Sequence, residues 1–552
     1  RLRMKNITLI VAVLSLITFS CGNMKKHADL VVKNAKVYTV DEHFTVVSAF
    51  AVKEGKILEV GTTGGITKNY SPDRTLDMEG KVVYPGFIDA HCHFYGYSMD
   101  LRQVNLVGTN SFGEVLEKLK AYDKNHDAEW ILGRGWDQND WEDTKFPTKE
   151  KLDELFPGKP VFLTRIDGHA ALVNSEALDR ADITSKTEVE GGKVYTENGE
   201  PTGILVDNAT GLVSKIIPEP TKQEKISALK QGARHCFGVG LTSVVDAGLG
   251  YESIHLMDSL QQAGGLKMQT YVMLTPSEKN YEAFMEHGIY KTDRMHIRSI
   301  KLFADGALGS RGACLLEPYS DDPDNTGFLV TSREELRKHA QKAYEYNYQV
   351  NTHAIGDSAN RLMLNIFSNI LGGQNDRRWR IEHAQVIHPD DFSLFEQYSI
   401  IPAVNTTHAT SDMYWADERL GENRLKNAYA YSKLLKQNGW LCNGSDFPVE
   451  DINPLYGFYA GVARKDLEGY PKKGFQPENA LNRKQALKAM TIWAARSMFE
   501  EDEKGSIEQG KQADFVVTDK DIMEADMKEV LEVEVLRTFV QGEEVYTTVN
   551  SK

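Results

Sequence analysis

The chain has 552 residues, 41% apolar and 26% charged, and its 64 basic and 79 acidic side chains give a formal charge of −15. This ordinary globular composition excludes a mostly disordered chain, a collagen-like repeat and a multi-span membrane protein, and the acidic balance disfavours nucleic-acid partners. The length allows two to four domains or one large barrel with additions.

In chain order, the first predicted element is an address. Met4-Lys5-Asn6 precedes an apolar run from Ile7 to Phe19, then Ser20-Cys21-Gly22-Asn23. A basic start, a short apolar stretch and a small residue before the break make a secretory leader, and the run is too short to span a bilayer comfortably. Cys21 after Ser20 resembles a bacterial lipoprotein box, with Thr18 where such boxes carry an aliphatic residue. That resemblance implies a signal peptide over 1–20, a linker over 21–27 and lipidation of Cys21. The protein would then be exported and anchored to the membrane, in the periplasm or cell envelope. An ordinary cleaved leader is the alternative. Cys92, Cys236, Cys314 and Cys442 are scattered, and no bridge is inferred.

Ala28 to Tyr38 is short, β-branched and interrupted by polar residues, so it predicts paired strands. Ala513-Asp514-Phe515-Val516-Val517 echoes Ala28-Asp29-Leu30-Val31-Val32. The two ends therefore predict a small composite β-sandwich, built from 28–82 at one end of the chain and 496–552 at the other. Between them strands and helices alternate. Thr221-Lys222-Gln223-Glu224 predicts a capped helix through His235, stopped at Gly238-Val239-Gly240. Leu241 to Asp246 follows as a buried strand. Ser332 to Glu335 opens another helix, with Leu336, Ala340, Ala343 and Tyr344 on one face, and strand Gln349 to His353 follows. Asn482 to Gln485 starts a further helix. Alternation over 83–495 implies an α/β fold with a parallel sheet, most economically a closed (β/α)₈ barrel. About 95–220 is too long for one loop and reads as an inserted subdomain.

The strongest chemical signal is Pro85-Gly86-Phe87-Ile88-Asp89-Ala90-His91-Cys92-His93. Residues two apart in a strand point the same way, so His91 and His93 offer two imidazoles to one side while Cys92 faces the other. Alone this is weak. Recurrence strengthens it: His353 and His383 each end a strand-like run, Asp446 ends a third in Gly444-Ser445-Asp446-Phe447-Pro448, and Lys301 lies in Ile300 to Gly306. In a parallel barrel all strand C-termini meet at one face, so residues remote in sequence would converge there. No Gly-x-x-x-x-Gly-Lys phosphate loop, Gly-x-Ser-x-Gly elbow or His-Glu-x-x-His helix is found.

These segments resemble the amidohydrolase superfamily, in its family 3 branch of amide-hydrolysing enzymes. Gly133 to Asp137, Arg165 to Ala171, Gly199 to Gly203, Lys301 to Gly312 and Thr407 to Asp412 extend the resemblance over nearly the whole mature chain. It implies a barrel beside a composite β-sandwich. It also implies that His91 and His93 bind one metal, His353 and His383 a second, and Lys301 bridges both as a CO₂-derived carbamate. An unmodified Lys301 would leave a site for one metal. Zn²⁺ suits imidazole and carboxylate ligands, with Mn²⁺, Co²⁺ or Fe²⁺ as alternatives. Asp446 would contact the first metal and carry the proton from water to the leaving nitrogen. Asn405-Thr406 stands where that branch carries Gln-Pro.

Substrate contacts are expected from Trp136, Asp137, His169, Asp305, Arg311 and His408, with Trp141, Arg165, Asp167 and Asp412 nearby. Two readings stand for several of them. Trp136 is either a ring-binding aromatic or core, and Arg311 either holds a carboxylate or braces a loop. The resulting expectation is a metal-dependent hydrolase of a small N-acyl, formamide or related compound. An ester, cyclic amide or deaminase-type substrate, and a non-catalytic surface lipoprotein, are the rivals. The partner is a small molecule, and the oligomeric state, a homodimer being one option, is not set by the sequence.

Overall fold

The computed structural model describes residues 25–125 and 128–548. The expected leader and Cys21 lie outside the described residues. Among the described residues no helix is long and apolar enough to cross a membrane.

Eight parallel strands build the centre: β1 (Phe87–Cys92), β2 (Leu241–Leu249), β3 (Gln269–Leu274), β4 (Met295–Phe303), β5 (Gln349–Ala354), β6 (Arg380–His383), β7 (Ile401–Val404) and β8 (Cys442–Asn443). Each pairs with its neighbour in chain order. All residues of β1, β3 and β5 are buried, as in strands covered on both faces. Between the first and eighth strands the seam closes just past their ends. Asp446 N–H donates to His91 O (2.8 Å) and His93 N–H to Phe447 O (2.8 Å). The architecture is an α/β, TIM-like barrel.

Helices separate the strands, the longest around the barrel being Lys222–Gly238, Tyr251–Gln262, Arg333–Glu345 and Asp357–Leu371. Local chemistry sets their starts. Thr221 and Glu224 form the reciprocal capping box, Asn482 and Gln485 form another, and Ser332 accepts from Glu335 N–H. Leu336, Ala340 and Ala343 turn one stripe of their helix into the core.

Two further sheets flank the barrel's N-terminal approach. One contains Lys26–Lys33, Ala49–Lys53, Lys56–Gly61 and Tyr70–Asp77. In the other, Val82–Pro85 pairs in parallel with Lys36–Tyr38 and antiparallel with Phe515–Thr518. Leu30, Val32 and Phe50 from the first sheet share a buried cluster with Val83, Phe515 and Phe539 from the second. Between β1 and β2 the chain makes a separate six-stranded sheet, its strands lying between Val104 and Asp207. This insert has its own core around Leu106, Trp136, Leu163 and Ile204.

Candidate active site

His91, His93, Lys301, His353, His383 and Asp446 come from β1, β4, β5, β6 and the segment after β8, and they meet at the strands' C-terminal face. His91 is the penultimate residue of β1, with Cys92 turned outward into the core beneath the helices. Ring centres lie 5.8 Å apart for His91 and His93, 5.0 Å for His91 and His383, and 4.6 Å for His353 and His383. One ligand atom each from His91, His383 and Asp446 falls within 4.8 Å of the others.

Each imidazole has one nitrogen engaged by the protein. His91 Nδ1 pairs with Glu382, His93 Nδ1 donates to Ala247 O (3.2 Å), His383 Nδ1 to Asn405 Oδ1 (2.8 Å), and His353 Nε2 to Gly306 O (3.3 Å). These bonds select the tautomer and aim the remaining nitrogen. His91 Nε2 lies 3.0 Å from Lys301 Nζ and 3.4 Å from Asp446 Oδ1, and His93 Nε2 lies 3.2 Å from the same oxygen. Burial holds His91 and His353 well below the usual histidine range and His383 at about 3, so these rings are neutral and their lone pairs available. Burial also brings the Lys301 amine down to about 8. Burial alone would raise Asp446, but the adjacent His93, His91 and His383 hold it well below the usual carboxylate range.

Asp446 Oδ1 is buried without a hydrogen-bond partner. An orphaned carboxylate oxygen facing neutral imidazoles is costly in a metal-free protein and natural around a divalent cation. The residues present therefore fit such an ion. His383 and Asp446 also hold φ of +70° and +63°. Non-glycine residues in that region cost about 1–3 kcal/mol each and cluster at functional sites.

The chain matches the amidohydrolase family over residues 74–546. It belongs to the amidohydrolase family. Among its relatives, Protein LONG AFTER FAR-RED 3 of Arabidopsis thaliana is 33% identical, covering 94% of this chain and 92% of its own length. An N-substituted formamide deformylase of Arthrobacter pascens is 28% identical over 94% and 98%. An uncharacterized metal-dependent hydrolase from Pyrococcus horikoshii superposes with a TM-score of 0.74 at 28% identity, over 90% and 99%.

In this amidohydrolase a cavity of about 730 Å³ opens over the cluster. The insert forms one wall, through Asp137, Arg165, Asp167 and His169, and the segment from His408 to Trp415 forms another. The His408 ring stacks 5.7 Å from His383, and its Nε2 is buried, unbonded, and 3.9 Å from Asp446 Oδ2. Asp412 also lines the cavity and accepts from Tyr429 OH (2.7 Å).

Three expected substrate contacts lie elsewhere. Trp136 is 1% exposed, its indole donating to Leu163 O (2.8 Å) inside the insert's core, with Trp141 packed 6.1 Å away. Arg311 pairs with Asp321 (2.8 Å) and braces the loop after β4 instead of facing the cavity. Asp305 is fully buried and accepts from Cys314, Ile355 and Gly356 N–H, tying that loop to the end of β5. Conversely, sequence reasoning misses Glu382, Asn405 and Asp207. Arg380 and Glu382 are two apart on one strand and pair at 2.7 Å, a spacing signal that the sequence does carry.

Proposed function

We propose that this amidohydrolase is a metal-dependent enzyme that hydrolyses the non-peptide C–N bond of a small N-acyl or formamide compound. The observation that carries the reading is the set of three imidazoles, His91, His93 and His383, each pinned from behind and gathered at the unpartnered oxygen of Asp446, with His353 packed against His383. The likeness to a formamide deformylase supports C–N cleavage.

His91, His93, His353, His383 and Asp446 would hold one or two ions, Zn²⁺ first among them, with Lys301 as a bridging carbamate. A bound ion supplies Lewis acidity toward the substrate carbonyl and lowers the pKa of water. The chain's own residues do the rest. Near neutral pH a fraction of Lys301 is uncharged, and that amine can add CO₂ with loss of one proton. Asp446 stays ionised, so it accepts a proton from the attacking water and returns it to the leaving nitrogen. Glu382, Asn405 and the carbonyls of Ala247 and Gly306 keep the imidazoles aimed throughout. The barrel and insert walls limit bulk water and hold the substrate over the cluster.

Metal analysis and a panel of N-substituted formamides and N-acyl amines test this. Turnover with one or two bound ions is expected; full activity in chelator-stripped protein would reject the reading. The leader-like segment supports a lipid-anchored, exported enzyme. Metabolic labelling with palmitate, lost in Cys21→Ser, is the expected result.

A further inference from the structure

His169 ends the turn between two insert strands, Val161–Arg165 and Ala170–Val173. Its Nδ1 meets Asp207 Oδ1 at 2.6 Å, and Asp207 N–H donates to His169 O at 2.7 Å. The Asp207 side chain is 1% exposed and that of His169 is 18% exposed. His169 lines the cavity, and with Nδ1 held on a buried carboxylate its free ring nitrogen is Nε2.

The barrel makes room for this pair. A methyl group placed on Gly306 or on Gly312 would stand 2.6 Å from Asp207 Oδ2, so the carboxylate occupies space that two glycines leave open. Both glycines belong to the loop after β4, the strand of Lys301. Gly306 also accepts, through its carbonyl, the bond from His353 Nε2. His169 and His353 therefore rest on one loop, their rings 5.0 Å apart. Asp207 keeps φ at +50°, and its Oδ2 is buried without a partner. A strained backbone and an unsatisfied carboxylate oxygen both cost stability. A contact serving only to dock the insert requires neither.

We propose that the insert supplies a catalytic residue to the barrel: His169, oriented by Asp207, hydrogen-bonds through Nε2 to the amide group of the bound substrate. Asp207 is the positioning residue, acting through His169, and Gly306 and Gly312 are the clearance it needs. This rests on the amide-hydrolase reading of the cavity.

The test uses the metal-loaded full chain, an N-substituted formamide as substrate and acetohydroxamate as an amide-shaped probe that also ligates the metal. His169→Ala should lower kcat by about 10²–10³-fold. It should weaken the probe about tenfold and leave metal content and Tm unchanged, and added imidazole should restore some of the rate. Asp207→Asn should lower kcat about tenfold at nearly constant KM. His169→Gln guards against a folding defect in the alanine variant. If both His169 variants keep kcat within about twofold and bind the probe like the parent, the inference is overturned while the function stands. If no amide is turned over but probe binding depends on His169, the amide reading fails and the placement of His169 holds. If the parent neither binds the probe nor turns over an amide, both fall.

Discussion

His91 Nδ1 pairs with Glu382, the residue immediately before His383 on β6. Arg380 grips the same carboxylate at 2.7 Å and reaches across to Ala90 O on β1 at 2.6 Å. One buried acid thus sets the orientation of a proposed ligand from another strand. Glu382→Gln should weaken metal binding by about 10–100-fold, read by chelator competition, with little change in secondary structure. Unchanged affinity would remove Glu382 from the metal site.

Asp446 is assigned the proton transfers. Asp446→Asn keeps the side chain's shape and should lower kcat by about 10²–10⁴-fold, measured on protein whose metal content is determined in parallel. A loss smaller than about tenfold at full metal loading would assign the proton to another group.

The charges on the cavity wall bear on specificity. Arg165 is held between Asp137 and Asp167, and Arg134 sits 3.2 Å from Asp100. Among the described residues no lysine lines the cavity, whereas Asp140 and Asp451 do. A free carboxylate on the substrate would meet acids and no unengaged cation, a juxtaposition that costs affinity. Formamides of neutral or cationic amines should exceed N-formyl amino acids in kcat/KM by about tenfold or more, and methyl esterification of the latter should recover much of the difference.

Acid stability should depend on Glu500. Burial would raise its carboxyl, but Lys504 at 2.9 Å and the hydrogen bond with His296 at 3.0 Å hold it at about 2. The folded value lies below the ordinary 4.5. The unfolded chain therefore takes up the proton first as pH falls. The contribution is complete above about pH 4.5 and fades toward pH 2, and the gap corresponds to about 3 kcal/mol. Glu500→Gln should flatten the fall in urea midpoint between about pH 5 and pH 3 and lower stability at pH 7.

The features legible in the sequence are those governed by local periodicity. Alternation puts His91 and His93 on one side of β1, and the strand-like stretches Gln349 to His353 and Arg380 to His383 mark strand ends. Thr221 and Glu224 declare their helix start within four residues. Other features depend on long-range geometry. The backbone turns at His383, with φ of +70°, so simple alternation does not show Glu382 and His383 serving the same cluster. Asn405 is visible only as a departure from the family's Gln-Pro, and its bond to His383 follows from the curvature that brings β6 and β7 together. Asp207 lies 38 residues beyond His169, in a sheet whose pairing has no short-range signature. Trp136 misleads because an aromatic beside a motif looks the same in sequence whether it faces a cavity or a core.

Val82–Pro85 runs almost directly into β1, and its antiparallel partner is Phe515–Thr518. During synthesis, the segment leading to His91 therefore emerges some 430 residues before that partner does. The nascent chain must carry an unpaired, apolar edge through most of translation, a state exposed to wrong pairings. Loss of only the last few dozen residues would reopen that edge, so the fate of the catalytic face is tied to the final moments of translation.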